Sequence, residues 1–383
     1  MFGSIIREVS HLAEPSFYSY VPHFIQRRKR LMFVLLGVTI LLSACNSKPE
    51  PQETTPVVPP QVAEPIPTPE EPQEEAVIAP LTGLAWEAGE PTKRPIAVMI
   101  NNQKRARPQS GLQQADVLVE VLAEGGITRL VAIYHSDSTY KGEIGPVRSI
   151  RPYLIDIGES FGAALVHAGG SPDGYRILQR QNKDYLDEIS NAGPYFWRDK
   201  QRRAPHNLYT NAEKIVQGMT KKKYEMTADV PAFSFVSNNR ADDTNAAMAG
   251  EPAKHLRVAF SNHSELVEYQ YEERSGHYIR HMAGAPHTDK ISGEALKAAN
   301  LVLIYAKHRV LDDVGRLEVD VRAGGRAVII RDGQAVNGEW LRSNGSFEFK
   351  VDGQKALFKP GTTHMLIITD DKSSKDRAVW KAQ

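Results

Sequence analysis

Ten of the chain's 24 prolines fall between Ser47 and Pro80, together with seven glutamates and one lysine. Proline locks φ and has no N–H to donate, so a run this rich in it sustains neither a helix nor a sheet ladder. The segment also holds too little apolar surface to offset the entropy of ordering it. It reads as an extended tether, 46–80, reaching roughly 100 Å at about 3.1 Å per residue, and its excess of acid extends it further. A leader, 1–45, therefore precedes it, and everything that can pack into a core follows it.

The leader carries Arg27-Arg28-Lys29-Arg30, an apolar stretch from Leu31 to Leu42, and then Leu42-Ser43-Ala44-Cys45. A basic flank, a short apolar stretch and small residues before a cleavage point are the parts of a secretory signal. The stretch is too short to span a bilayer, which takes about 20 apolar residues. The Leu-Ser-Ala-Cys ending resembles the bacterial lipobox, in which the cysteine is acylated on sulfur and becomes the mature N-terminus. Cys45 is thus the expected lipidation site, and the extracytoplasmic face of the cell membrane the expected location. Met1 to Gln26 read as neither signal nor core. Either the n-region is long, or the true start lies downstream of Met1.

Charge and cysteine counts remove several classes. The chain has 47 basic and 46 acidic residues, a net +1, without the concentrated basic excess of a dedicated nucleic-acid binder. Cys45 is the single cysteine, which excludes an intramolecular disulfide framework and a Cys-ligated zinc. No HExxH motif is present, and His277 and His281, four apart in a strand, stand roughly 13 Å from each other. Neither a metal nor a cofactor is expected.

The body predicts an α+β protein: an N-terminal mixed α/β domain, 81–225, a connection, 226–254, a smaller β-rich C-terminal domain, 255–370, and a polar tail, 371–383. Ile96–Ile100, Val117–Val119 and Leu130–Tyr134 are short apolar strands. Leu154, Ile157, Gly158 and Phe161 follow Pro152 at helical spacing. Ala163–Val166 is a buried strand, and Thr210 to Glu213 has capping-box spacing before a helix ending at Lys221–Lys223. In the second half, 266–271 and 277–281 form a hairpin. Asp332-Gly333, Asn337-Gly338, Asn344-Gly345 and Asp352-Gly353 mark tight turns.

Three polar segments are candidates for ligand contact. In His167-Ala168-Gly169-Gly170-Ser171, a strand runs into two glycines and a capped helix start, a geometry that favours anions but also makes an ordinary turn. Arg148 and Arg151 stand three apart beside Pro146 and could clamp a carboxylate or phosphate, or could pair with local acids such as Glu143 and Asp156. The third, Arg198 to Asn207, carries Arg203, His206 and Asn207 in a basic loop that equally suits a solvated face. The serine lacks the GxSxG context of a nucleophile, and no phosphate-binding GxxxxGK[ST] loop is present.

Further motifs carry a resemblance to a known family. They include Asn101-Asn102, 106–112, Ala115-Asp116, Glu120, Glu124–Arg129, Ile144–Ser149, Arg151–Tyr153, His167–Ser171 and Arg203–Tyr209. In the second half they continue with Tyr278–Arg280, Pro286–Asp289, Gly338–Trp340 and Lys359–Thr362. With these motifs the chain resembles the YerB-type lipoproteins, an envelope family with conserved N- and C-terminal halves. The resemblance covers roughly residues 80–370. It implies a two-part body on the surface of a Gram-positive cell and carries over no catalytic residue.

Together these features point to a lipid-anchored surface protein whose body binds a cell-wall polymer or an envelope protein, with no nucleic-acid partner. The alternative is an envelope hydrolase or transferase using His167 or His206 as base with arginines holding an anionic substrate.

Overall fold

The computed structural model describes residues 77–86, 93–136, 140–236, 250–371 and 374–382. The signal sequence, the lipidation at Cys45 and the tether as far as residue 76 lie outside the described residues. The last residues assigned to the tether belong to the body: Ala79 is buried, and Pro80 accepts a hydrogen bond from the Phe233 amide.

One twelve-stranded sheet forms the frame. Its central strand is Thr363–Thr369, which lies parallel to Asn300–Ala306 on one side and to Val117–Leu122 on the other. The register pairs Thr363 with both Asn300 and Val117. From Val117–Leu122 the sheet continues through Thr128–Tyr134, Ile96–Asn101, Ala164–His167 and Tyr185–Asp187. From Asn300–Ala306 it continues through Gly325–Arg331, Gln334–Ser343, Ser346–Val351 and Gln354–Lys355. Among the described residues the only α-helices are Pro152–Glu159, Pro172–Arg180, Ala212–Lys222 and the single turn Ser374–Arg377. The α+β expectation is therefore corrected to a predominantly β protein in which both halves contribute strands to one sheet. The cause is burial on both faces. NLVLIYA and THMLIIT are apolar almost throughout, as parallel interior strands must be, and only a shared sheet offers them two covered faces.

Alternate residues along the central strands feed different cores. Val119, Val131, Ile304, Ile329, Met365 and Ile367 pack on the helix Pro152–Glu159 and on aromatic residues of the second half. On the opposite face, Val98, Leu118, Leu130 and Val166 meet the helix Ala212–Lys222. Leu301, Leu303, Val328 and Leu366 meet a second sheet. That sheet is built on the hairpin Val267–Glu272 and His277–Met282, flanked by His255–Val258 and Ala378–Lys381. The tail read as polar thus supplies an edge strand, and the connection packs on the second half through Phe233, which stacks on Phe358 at 4.9 Å.

Local chemistry explains most boundaries. Ser171 accepts from the Gly174 amide and Asn211 from the Lys214 amide, so Asn211, one residue after the expected Thr210, caps its helix. Asp332-Gly333, Asn344-Gly345 and Asp352-Gly353 all have positive φ at both positions, as a type I′ hairpin requires. Asn337-Gly338 is no turn: it lies inside Gln334–Ser343, where a Cβ on Gly338 would come within 2.3 Å of the Lys350 carbonyl oxygen.

The directions of the strands place the site. Ile96–Asn101, Val117–Leu122, Ala164–His167, Tyr185–Asp187, Asn300–Ala306 and Thr363–Thr369 all run the same way, so their carboxyl ends share one edge of the sheet. In open sheets with parallel strands, ligands gather at that edge.

Candidate functional site

Two groups of buried polar side chains stand near this edge, on opposite faces of the sheet. The first joins the two halves. Glu120, 1 % exposed, accepts a 2.6 Å bond from Arg280, which is fully buried. The other Glu120 oxygen accepts from Asn102 at 3.0 Å and from the Thr128 hydroxyl at 2.6 Å. Arg280 also donates to the Tyr269 hydroxyl at 2.6 Å and to Nδ1 of His287 at 2.9 Å. His287 must then carry its proton on Nε2, which donates to Gln109 at 2.7 Å. Tyr269, having accepted from Arg280, donates to Nδ1 of His364 at 3.0 Å. Burial and the Arg280 charge hold His364 near 3 and push His287 well below the ordinary histidine value, so both are neutral. Every group here is satisfied, and the network reads as structure.

The second group is different. Arg129 is the second residue of the strand Thr128–Tyr134, opposite Asn101, and is only 6 % exposed. Its Nε and Nη1 are buried and have no hydrogen-bond partner. Burial, and then the charges of Arg151 and Arg148, push its guanidinium down to about 10. Arg148 stands beside the end of Ile96–Asn101, its amide bonded to the Met99 carbonyl, and its half-buried guanidinium has no partner among the described residues. Arg151 is paired with Glu124 and donates to the Ile150 carbonyl at 2.7 Å. It also occupies the N-cap of Pro152–Glu159, where no side chain caps the helix. Three arginines thus face one carboxylate at the positive end of a helix dipole. His206 completes the rim: its Nδ1 accepts from Asn101 at 2.8 Å, so Nε2 carries the proton. Burial and the neighbouring Arg148, Arg105 and Arg202 charges keep its pKa low.

Of the expected ligand residues, Arg148, Arg151 and His206 come together here. Arg203 is exposed in the same loop. Asn207 is turned inward and ties that loop by donating to the carbonyls of Asp199 and Arg202. Ser171 is a helix cap, and its preceding glycines form the turn, Gly169 at φ +76° with its amide donating to Asp187. Gly170 packs on Ile150, where a Cβ would meet Cγ2 at 3.2 Å. His167 is fully buried, donates from Nδ1 to the Gly169 carbonyl and stacks on Tyr185; burial lowers it to about 4. It is sealed from any ligand in this structure. Arg129 is the residue that sequence reasoning missed. Its only signal was a single arginine closing the Glu124–Arg129 motif at the start of an apolar strand.

The larger cavities are less suggestive. A groove of about 820 Å³ lies between the helices Pro152–Glu159 and Pro172–Arg180 and the ribbon His308–Val310 with Leu317–Val319. Its charges are largely matched: Arg322 with Asp156, Arg309 with Glu318 and Arg326 with Asp370. A smaller pocket of about 370 Å³ is lined by the aromatic residues Phe233, Phe347, Phe349 and Phe358. Among the described residues single buried donors are also unmet at Trp86, Arg107 and Arg342, but Arg129 alone leaves two.

Residues 81–225 match the N-terminal domain, and residues 256–365 the C-terminal domain, of a family described as protein of unknown function (DUF3048). The chain belongs to this family. It is 34% identical over 294 residues to YerB of Bacillus subtilis (strain 168), a protein provisionally named a lipoprotein; the match covers 76% of this chain and 86% of YerB. The crystal structure of YerB from Bacillus subtilis superposes with a TM-score of 0.69 at 32% identity, covering 79% of this chain and 99% of that one. The two family domains divide the chain in sequence, while their strands share a single sheet.

The two buried arginines should respond to substitution in opposite directions. Glu120→Gln strands Arg280 and is expected to lower the free energy of unfolding by about 3–5 kcal/mol. Arg129→Met removes a buried cation with unmet donors and is expected to raise it by about 1–3 kcal/mol. Urea unfolding of the two variants against the parent protein measures both; a destabilised Arg129→Met would assign Arg129 a structural role.

Proposed function

We propose that this chain is a lipid-anchored protein of the extracytoplasmic membrane face whose body binds an anionic group of the cell envelope. The observation that carries this reading is Arg129, a buried guanidinium with two unmet donors beside the unpartnered Arg148. Leaving such donors unsatisfied costs stability, and natural proteins bear that cost mainly where function requires it. The placement supports the same reading, because the group lies at the carboxyl edge of parallel strands and at a helix N-terminus. The basic and apolar leader ending at Cys45, the acidic Pro-rich tether and the name given to the relative YerB support the address. A Gram-positive envelope, rich in anionic polymer, suits the chemistry.

The hydrolase or transferase alternative rests on His206 alone, since His167 is sealed. His206 has an oriented ring beside Arg148 but, among the described residues, no hydroxyl or thiol bonded to it.

Two measurements test the proposal. Cys45→Ser should move the protein from the membrane fraction to the soluble fraction, and continued membrane retention would contradict the anchor. The purified body should be retained by isolated cell envelopes and released by added salt, with Arg148→Gln reducing retention about tenfold. Equal retention of that variant would remove the arginine group from the function.

A further inference from the structure

The charge balance of the arginine group narrows its ligand, on the premise that the group binds an anion as proposed above. Three guanidinium groups, Arg129, Arg148 and Arg151, face the single carboxylate of Glu124, which is committed to Arg151. Two positive charges therefore remain uncompensated. Other acids nearby are engaged elsewhere: Glu120 is held by Arg280, Asp187 by Gly169, Tyr175 and Ser190, and Asp156 by Arg322. The rim adds no further negative charge, since Asn101 and His206 present neutral groups and the nearby Arg105 and Arg202 are cationic.

A carboxylate or phosphodiester would neutralise one of the two remaining charges and leave a guanidinium buried without a counterion. A compact tetrahedral dianion neutralises both. It also offers enough oxygens to accept from Arg129 and from Arg148, and a third from the proton on Nε2 of His206. A phosphate monoester carries about −1.5 to −2 at pH 7 and meets this requirement.

We propose that the Arg129–Arg148–Arg151 group is a site for a phosphate monoester or the terminal phosphate of a pyrophosphate, and discriminates against carboxylates and phosphodiesters. A wall polymer linked by phosphodiesters would then bind at a phosphorylated end or not at all. The ligand would instead be a phosphorylated building block, or the phosphate-bearing head of a lipid.

Calorimetric titration of the purified body with phenyl phosphate, sulfate, dimethyl phosphate and acetate tests the assignment. Phenyl phosphate and sulfate, both dianions, are expected to bind at least about tenfold tighter than the two monoanions. Arg148→Gln lowers the uncompensated charge by one and should reduce that preference towards parity, whereas Arg148→Lys should keep it. If dimethyl phosphate or acetate binds the parent protein as tightly as sulfate, the dianion assignment is overturned while anion binding stands. If none of the four binds, the anion-site reading falls with it. A dianion preference that persists in both Arg148→Gln and Arg129→Met would place the site elsewhere and overturn the assignment to these residues.

Discussion

The Glu120–Arg280 ion pair is the constraint on which the rest of the architecture turns. It joins a strand of the first half to a strand of the second sheet, and both side chains are cut off from water. Burying two charges is costly unless every remaining donor and acceptor finds a partner. The surrounding residues supply those partners: Asn102 and Thr128 on the carboxylate, Tyr269 and His287 on the guanidinium. His287 in turn bonds to Gln109, and the neighbouring Asp289 accepts from the Leu112 amide at 2.7 Å. The segment from Asn101 to Leu112 is thereby fixed against the second sheet. The position of Asn101, and through it His206, follows from a network built on the opposite face.

Against that background Arg129 stands out by contrast. It occupies the sheet that holds Glu120, two strands from the central one, and is nearly as buried as Arg280. Yet Arg280 has a carboxylate and two further acceptors, while Arg129 has two like-charged neighbours and two unmet nitrogens. A fold able to satisfy Arg280 so fully has no structural need for an unsatisfied arginine close by. The satisfied network makes the unsatisfied one informative.

Much of the local structure was legible in the sequence. Apolar runs marked the strands, and Pro152 and Ser171-Pro172 marked helix starts. Three of the four Asn/Asp-Gly dipeptides were turns because both residues take positive φ. The fourth, Asn337-Gly338, sits inside a strand because Gly338 lets the Lys350 carbonyl approach, which no local pattern reveals. The shared sheet was not legible for a related reason. Nothing in THMLIIT states that it inserts between a strand nearly 250 residues upstream and one about 60 upstream. In the site, Arg148, Arg151 and His206 were visible as polar clusters in loops. Arg129 was hidden in an apolar strand, where a lone arginine is normally paired. His167, Gly169, Gly170 and Ser171 looked like a ligand cradle because a tight strand-to-helix turn uses the same residue types.

The central claim is that the unmet donors of Arg129 await a ligand. The most direct measurement is a crystal structure of the body soaked with tungstate, a tetrahedral dianion located by its anomalous scattering. The expected result is a peak within hydrogen-bonding distance of both Arg129 and Arg148. Tungstate bound only at exposed surface cations, with Arg129 still lacking a partner, would contradict the account.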